Sequence, residues 1–152
     1  MTETKLTGID NWVHSGVKTY NNAAQATTNG AWTIRNFNVD LWDTDSYHNV
    51  SINNDRITAP WAGYYEFTQM CNFNFHATGQ RSILMRYNSG TYHYGPQVDA
   101  TAAGVTGLNQ TIMLYMAAGD YVNCYVYQNS GTALTITQNE GNGFFEAKYL
   151  GK

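Results

Sequence analysis

The stretch from residue 55 to residue 67 constrains the fold of this chain more than any other segment. It begins as a short strand, ends at Pro60, turns through Gly63 and resumes as an aromatic strand with alternating faces. Thr, Ile, Tyr and Phe suit a pleated, half-buried surface, whereas proline cannot donate to a central β-ladder. The pattern predicts two strands joined at a corner, with Tyr65 and Phe67 on the buried face.

The composition extends this expectation to the whole chain. Only 12% of the 152 residues are charged, and the chain contains 12 tyrosines and 14 glycines but no long Ala, Leu, Glu or Lys runs. Such a sequence disfavours helices, and its length suffices for one domain with a proper core. We therefore predict an all-β, two-sheet antiparallel jelly-roll sandwich over residues 16–152, preceded by an N-terminal arm over residues 1–15.

Short strands separated by Asn and Gly carry this prediction. They cover residues 16–20, 31–37, the surroundings of residue 57, 64–75, 81–87, 91–98, 108–116, 121–127, a polar segment after 131, and 144–150. Residues 21–30 read as a polar loop, and residues 40–54 as loop-rich with a brief pairing near 47–51. Pro96 cannot donate a backbone hydrogen bond, so its strand is expected at a sheet edge or to contain a bulge.

The two cysteines lie in strand-like stretches. Cys71 shares a face with Phe67 and Phe73, and Cys124 shares one with Val122 and Val126. This pattern favours buried free thiols that act as small apolar groups. A disulfide is the alternative, since sequence alone supplies no geometry to decide between them.

The charge distribution argues against two classes of partner. The net charge is −3, and the eight Lys and Arg residues are scattered rather than gathered into the basic stripe that phosphate-backbone binding requires. No apolar run is long enough to span a bilayer, and the first residues lack the apolar core of a signal peptide. We expect no nucleic-acid binding, no membrane insertion and synthesis in a cytoplasm.

No set of residues predicts catalysis or a cofactor. The four histidines are far apart, and no nucleophile motif or glycosidase-type carboxylate pair is present. Asp40, Asp43 and Asp45 form a weak candidate for a Ca²⁺ site. The favoured interpretation is a solvated loop in which these side chains cap turns.

Four segments follow one another in a characteristic order. The corner at residues 56–67 is followed by 84–90 (Leu-Met-Arg-Tyr-Asn-Ser-Gly), 114–122 (Leu-Tyr-Met-Ala-Ala-Gly-Asp-Tyr-Val) and the closing segment 143–151. This series resembles the trimeric jelly-roll domains of the complement component 1q globular head and the tumour necrosis factor superfamily. The likeness extends from about Val17 to residue 151, nearly the whole chain.

Within that superfamily the lead-in is similar to versions found in tailed-phage structural proteins. The likeness rests on residues 17–25 (Val-Lys-Thr-Tyr-Asn-Asn-Ala-Ala-Gln), 32–34 (Trp-Thr-Ile) and 37–48. It implies a non-enzymatic homotrimer on a virion, as a capsid-decoration, head-fibre or tail-fibre protein made in the host cytoplasm. The arm would dock to a capsid or tail protein, and distal loops would contact the host surface.

A threefold assembly accounts for an excess of outward-facing aromatic residues, because isolated soluble domains seldom expose large apolar patches. The alternative is that these rings simply cover the sheets while half exposed. The expected interface residues are Tyr64, Tyr115, Tyr125, Tyr127 and Phe144.

A carbohydrate-binding module is the alternative function. Trp42, Trp61, Tyr92 and Tyr94 are the candidate ligand-loop residues, with Trp12 and Trp32 as further aromatic groups able to stack on sugars. The two functions are compatible, since a fibre head presenting three copies of a glycan site gains avidity.

Overall fold

The structure is a computed structural model that describes residues 15–101, 104–137 and 139–152. Within these residues it contains twelve β-strands and no helix, hence none able to span a membrane. The strands are β1 (Gly16–Tyr20), β2 (Gln25–Thr27), β3 (Ala31–Ile34), β4 (Val39–Asp43), β5 (Arg56–Thr58), β6 (Gly63–Phe73), β7 (Gln80–Tyr87), β8 (Thr91–Asp99), β9 (Thr106–Met116), β10 (Tyr121–Gln128), β11 (Leu134–Thr137) and β12 (Phe144–Gly151).

Eleven of the strands pair into two antiparallel sheets, and β3 lies outside both, against β10. The larger, seven-stranded sheet has the order β2-β11-β6-β12-β1-β4, and β9 pairs with β6 along the full length of both strands. The smaller, four-stranded sheet has the order β5-β10-β7-β8. This arrangement confirms the predicted all-β sandwich of two antiparallel sheets.

Strict alternation along β6 builds the inner face of the seven-stranded sheet. Tyr65, Phe67, Gln69, Cys71 and Phe73 are fully buried, whereas the side chains that alternate with them face outward. Phe145 on β12 stacks on Phe67, with their ring centroids 5.9 Å apart. Burying each such ring stabilises the fold by about 1.5–3 kcal/mol, so these faces supply much of the core.

The corner before β6 requires a residue without a side chain. A Cβ on Gly63 would lie 2.5 Å from the Tyr149 ring and 2.6 Å from the carbonyl oxygen of Gly151, both on the neighbouring strand β12. Backbone and an aromatic ring at these distances leave no room for a methyl group. The glycine of the 55–67 pattern therefore allows β6 to approach β12 closely.

Two turns at one end of the sandwich are bonded to each other. Asn88, between β7 and β8, exchanges backbone and side-chain hydrogen bonds with Tyr121 (2.8 and 2.9 Å). Asp120, between β9 and β10, accepts hydrogen bonds from the Tyr87 hydroxyl, the Asn88 amide (3.0 Å) and the Ala117 backbone N–H (2.8 Å). Two of the four segments that carry the family likeness, 84–90 and 114–122, thus meet in space and hold each other in place.

Four local predictions are wrong. The 21–30 loop contains the short strand β2, and β4 pairs with β1 where residues 40–54 read as loop-rich. Backbone pairing with a neighbouring strand overrides the polar local sequence in both places. Residues 47–51 form no strand, and the strand expected over residues 64–75 ends at Phe73, which leaves Phe75 exposed.

The boundary between the arm and the domain stays a prediction, since residues 1–14 lie outside the described part of the chain. Ser15, assigned to the arm, is bonded to the sandwich. Its hydroxyl contacts Asp45 Oδ2 (2.7 Å) and the Tyr47 hydroxyl (2.5 Å), and its carbonyl accepts from the Tyr149 N–H (2.9 Å).

Candidate functional site

An apolar patch lies on the outer face of the seven-stranded sheet. Tyr64 on β6 and Tyr115 on β9 are directly paired across the two strands, and their rings meet edge to face at 5.2 Å. Met113 lies two residues along β9, and Leu150 lies at an irregularity of β12 beside them. All four are about half exposed, from 48% for Tyr64 to 62% for Met113. We call these four residues the tyrosine patch.

Charged side chains border the tyrosine patch. Glu66 is the cross-strand partner of Met113, and Lys148 forms an ion pair with Glu146 at 2.9 Å. The hydrogen bond and charge of Glu146 raise the pKa of Lys148. An apolar centre with a polar rim is typical of surfaces at which proteins associate.

Phe144 and Trp42 lie further across the same face. The Lys18 ammonium lies 4.2 Å from the centroid of the Phe144 ring, and Trp42 is the cross-strand partner of Lys18. Both aromatic residues are therefore half-buried by their neighbours rather than free.

The structure does not place the five expected interface residues on one face. Tyr64, Tyr115 and Phe144 lie on the seven-stranded sheet, whereas Tyr125 and Tyr127 lie on the outer face of the four-stranded sheet. Sequence alternation shows that a side chain faces outward, but it does not show which sheet carries it.

A cavity of about 350 Å³ opens on the outer face of the four-stranded sheet. Cross-strand register builds it, because Leu84 lies between Tyr125 and Tyr94, and Arg86 lies beside Tyr92 in the next row. We call it the aromatic pocket. Its lining residues are Trp32, Leu84, Arg86, Tyr92, Tyr94 and Tyr125.

The rings of the aromatic pocket contact one another. Trp32 on β3 lies against Tyr94 and Tyr127, with ring centroids 6.2 and 5.4 Å apart, and Tyr92 lies 6.3 Å from Tyr94. Tyr94 is 70% exposed and Tyr92 is 50% exposed, so both offer open faces to solvent.

Only two of the four candidate ligand-loop residues come together. Tyr92 and Tyr94 line the aromatic pocket, whereas Trp42 lies on the opposite face and Trp61 lies at the corner before β6. Trp61 meets Tyr149 edge to face at 5.8 Å. Trp12 lies outside the described residues. Arg86 was not among the residues predicted for a site. The alternation along β7 indicates only that its side chain faces outward.

The three aspartates are engaged separately. Asp40 contacts His48 Nδ1 at 2.7 Å, Asp43 accepts from the backbone N–H groups of Tyr47 and His48 (both 3.0 Å), and Asp45 accepts from the Thr44 hydroxyl (2.7 Å). Over residues 15–101, 104–137 and 139–152, no group of three His, Cys, Asp or Glu side chains converges as metal ligands. These contacts organise the loop after β4, as capping aspartates do.

No protein-family model matches the chain, and no curated protein matches it. Several solved structures share its fold. Murine APRIL superposes with a TM-score of 0.69 at 10% identity, covering 90% of this chain and 99% of that one. The globular domain of zebrafish complement 1qA gives 0.64 at 12% identity, covering 90% and 97%. Eiger TNF from S. frugiperda gives 0.59 at 11%, covering 91% and 94%.

Identities this low establish the fold and not a shared activity. The chain therefore has the jelly-roll fold of the tumour necrosis factor and complement 1q domains, as the four ordered segments predicted. The likeness to tailed-phage proteins stays a prediction.

Proposed function

We propose that the chain is a non-enzymatic module that assembles as a homotrimer around the tyrosine patch and serves as a surface component of a virion. The observation that carries self-association is the patch itself. It presents four adjoining, half-exposed apolar side chains on a flat sheet face, where water contact is unfavourable. Self-association would bury it, with the tyrosine hydroxyls finding partners in the interface.

Threefold symmetry is supported by the fold and by interface geometry. The chain has the fold of the tumour necrosis factor and complement 1q domains, and its four ordered segments resemble the trimeric jelly-roll domains of that superfamily. Around a cyclic axis, identical residues from all copies approach one another, and more distant surfaces form heterologous contacts between neighbours. The edge-to-face Tyr64–Tyr115 pair suits the centre of such an interface, with Glu66 and Lys148 at its rim.

The virion role is supported by the sequence likeness of residues 17–25, 32–34 and 37–48 to tailed-phage structural proteins. The proposed location is the capsid surface or a head or tail fibre, with the arm (residues 1–15) docking to the particle. Many trimers on one particle turn weak individual contacts into firm attachment through avidity.

A charge introduced into the tyrosine patch tests the interface. Tyr115→Asp would gather three carboxylates around the axis, and their repulsion and desolvation disfavour assembly. Tyr94→Asp makes the same change at an exposed position of the four-stranded sheet. Light scattering after size exclusion is expected to give a monomer for Tyr115→Asp and a trimer for Tyr94→Asp. Dissociation of both variants, or of neither, would contradict the assigned interface.

Particle association tests the virion role separately. The full chain, produced together with phage particles, is expected to co-sediment with them, and a variant lacking residues 1–14 is expected to stay trimeric but fail to co-sediment. A full chain that remains entirely in the soluble fraction would overturn the virion role and leave the trimer standing.

Carbohydrate binding is a second candidate function, favoured by the aromatic pocket. Its volume lies in the range of about 300–1,000 Å³ in which small-molecule sites occur, and its wall combines several aromatic faces with one charged group. The pocket and the tyrosine patch lie on opposite faces of the sandwich, so a trimer could carry three open pockets.

A further inference from the structure

The aromatic pocket contains one cation, Arg86. Its guanidinium carbon lies 4.9 Å from the centroid of the Tyr125 ring, a distance at which a cation and an aromatic face attract. Cross-strand pairing places Arg86 between Asn123 and Tyr92, at one side of the apolar floor formed by Leu84. The charge is therefore held in position by packing rather than by a partner carboxylate.

The Arg86 guanidinium lacks a hydrogen-bond acceptor among the described residues. Its Nε is buried and has no partner, and neither ion pair found in this part of the chain involves Arg86. A buried donor without an acceptor is unfavourable, and buried polar groups normally have one. The Arg86 side chain as a whole is only partly buried and lines the pocket, so a ligand there can bring oxygen atoms to the rest of the guanidinium.

The other walls of the pocket suit a sugar ring. Trp32, Tyr92 and Tyr94 present rings that are partly open to solvent, and such rings offer flat apolar faces for C–H groups. The tyrosine hydroxyls can donate to or accept from sugar hydroxyls. An aromatic wall with one convergent charged group selects a ligand that has both an apolar face and a counter-charge.

We propose that the aromatic pocket binds a carboxylate-bearing sugar, such as a uronic or sialic acid unit of a glycan, with Arg86 pairing the carboxylate. The planar guanidinium matches a carboxylate through two parallel N–H···O bonds, which gives direction as well as attraction. Tyr92 and Tyr94 pack against the sugar ring, and Trp32 closes the opposite side. This inference deepens the carbohydrate-binding candidate and rests on it.

The surrounding charges agree with an anionic ligand. Burial is the main cause that raises the pKa of Tyr125; Arg86 opposes it, and the Asp55 carboxylate adds to it. Asp55 also accepts a hydrogen bond from the Asn123 amide at 3.2 Å. Arg56, stacked on Tyr121 at 4.3 Å, lies on the same sheet but lines a separate cavity. Arg86 is therefore the one charged group among the residues that line the aromatic pocket, and it is the cation available to an anionic ligand there.

Paired sugars that differ only in a carboxylate give the sharpest test. Glucuronate and glucose, N-acetylneuraminic acid, and acetate as a simple anion are titrated into the full chain and followed by protein and ligand NMR. We expect saturable binding of at least one of the two acidic sugars, with glucuronate at least ten-fold tighter than glucose if the uronic acid is the ligand. Acetate should compete weakly, and added salt should weaken acidic-sugar binding.

Variants locate the interaction. Arg86→Gln should abolish the preference for acidic over neutral sugar. Arg86→Lys should retain only part of this preference, because lysine keeps the charge but lacks the planar pair of N–H donors that a guanidinium offers to a carboxylate. Tyr94→Ala should lower the binding affinity for acidic and neutral sugars by the same factor. Arg56→Gln is the matched control. Its guanidinium also stacks on a tyrosine and has a buried, unpartnered Nε, but it lines a separate polar cavity.

The possible results distinguish carbohydrate binding in general from a preference for a carboxylate-bearing sugar. Equal binding of glucose and glucuronate with no sialic acid preference, or unchanged acidic-sugar affinity in folded Arg86→Gln and Arg86→Lys, would overturn the carboxylate inference and keep carbohydrate binding. Absence of any saturable sugar signal would overturn both. Neither result bears on trimer formation, because the pocket and the tyrosine patch lie on opposite faces.

Discussion

Cys71 and Cys124 are free thiols in the core rather than a disulfide. Both are completely buried, and they belong to two different hydrophobic clusters. Burial raises the pKa of Cys71 to about 11 and raises that of Cys124 further, while Arg35 opposes the shift at both. Because the thiolate is the reactive form, neither group should react while the chain is folded.

A thiol-labelling experiment checks this expectation. At pH 8 and without denaturant, both cysteines should resist a disulfide reagent, and in urea both should react at the rate of a free thiol. Rapid labelling of the folded chain would contradict the burial of the thiols. Failure of the unfolded, unreduced chain to react would indicate a disulfide instead.

The burial of individual residues could be predicted from the sequence, but their proximity across strands could not. The inward positions of Tyr65, Phe67 and Val122 follow from alternation, and the structure confirms them. Arg86 and Tyr125 could not be placed in one pocket, because their proximity depends on the register between β7 and β10. Register is a long-range property set by the whole sandwich.

At the scale of elements, the corner before β6 depends on Gly63. Gly63→Ala should destabilise the fold by about 1–3 kcal/mol or more, since the added methyl would meet the Tyr149 ring and the Gly151 carbonyl. Urea unfolding measures the change. The control is Gly90→Ala, where a Cβ meets nothing within 4 Å. Equal stability of the two variants would contradict the close approach of β6 and β12.

The linked turns at Asn88 and Asp120 predict a pH-dependent stability. The hydrogen bond from the Tyr87 hydroxyl is the main cause that lowers the pKa of Asp120, and Asn88 and the Ala117 N–H add to it against an opposing effect of burial. The ionised carboxylate therefore stabilises the fold above about pH 4, and this contribution is lost as the pH falls through the folded-state pKa.

Asp120→Asn tests this element. The substitution should cost about 1–3 kcal/mol at pH 7, because it weakens hydrogen bonds to a charged acceptor. The difference from the unmodified chain should shrink as the pH falls below 4 and through the folded-state pKa of Asp120, because the native carboxyl then takes up a proton. Thermal unfolding at pH 7 and at a series of pH values below 4 measures it, and a difference that stays constant with pH would refute the role of the charge.

Elements differ in how well local sequence predicts them. β6 and β10 are long and alternate apolar residues with outward ones, and the inward positions predicted for Tyr65, Phe67, Val122 and Val126 are confirmed. β2 and β4 carry polar or mixed residues, and they are strands because β11 and β1 offer unpaired edges to them. Such strands are decided by their neighbours rather than by their own propensity.

At the scale of the whole molecule, the sandwich separates two surfaces. The tyrosine patch covers part of the seven-stranded sheet, and the aromatic pocket opens on the four-stranded sheet. Assembly at one face and ligand binding at the other can therefore proceed without competing. The ordered segments predicted the fold across nearly the whole chain, but the division of the outward aromatic residues between two faces required the sheet topology.

The solution mass of the unmodified chain tests the proposed assembly most directly. Sedimentation equilibrium over a hundred-fold range of concentration should give a species of three times 17.0 kDa that persists on dilution. A species of 17.0 kDa at every concentration would contradict assembly through the tyrosine patch, and a stable dimer would contradict its threefold symmetry.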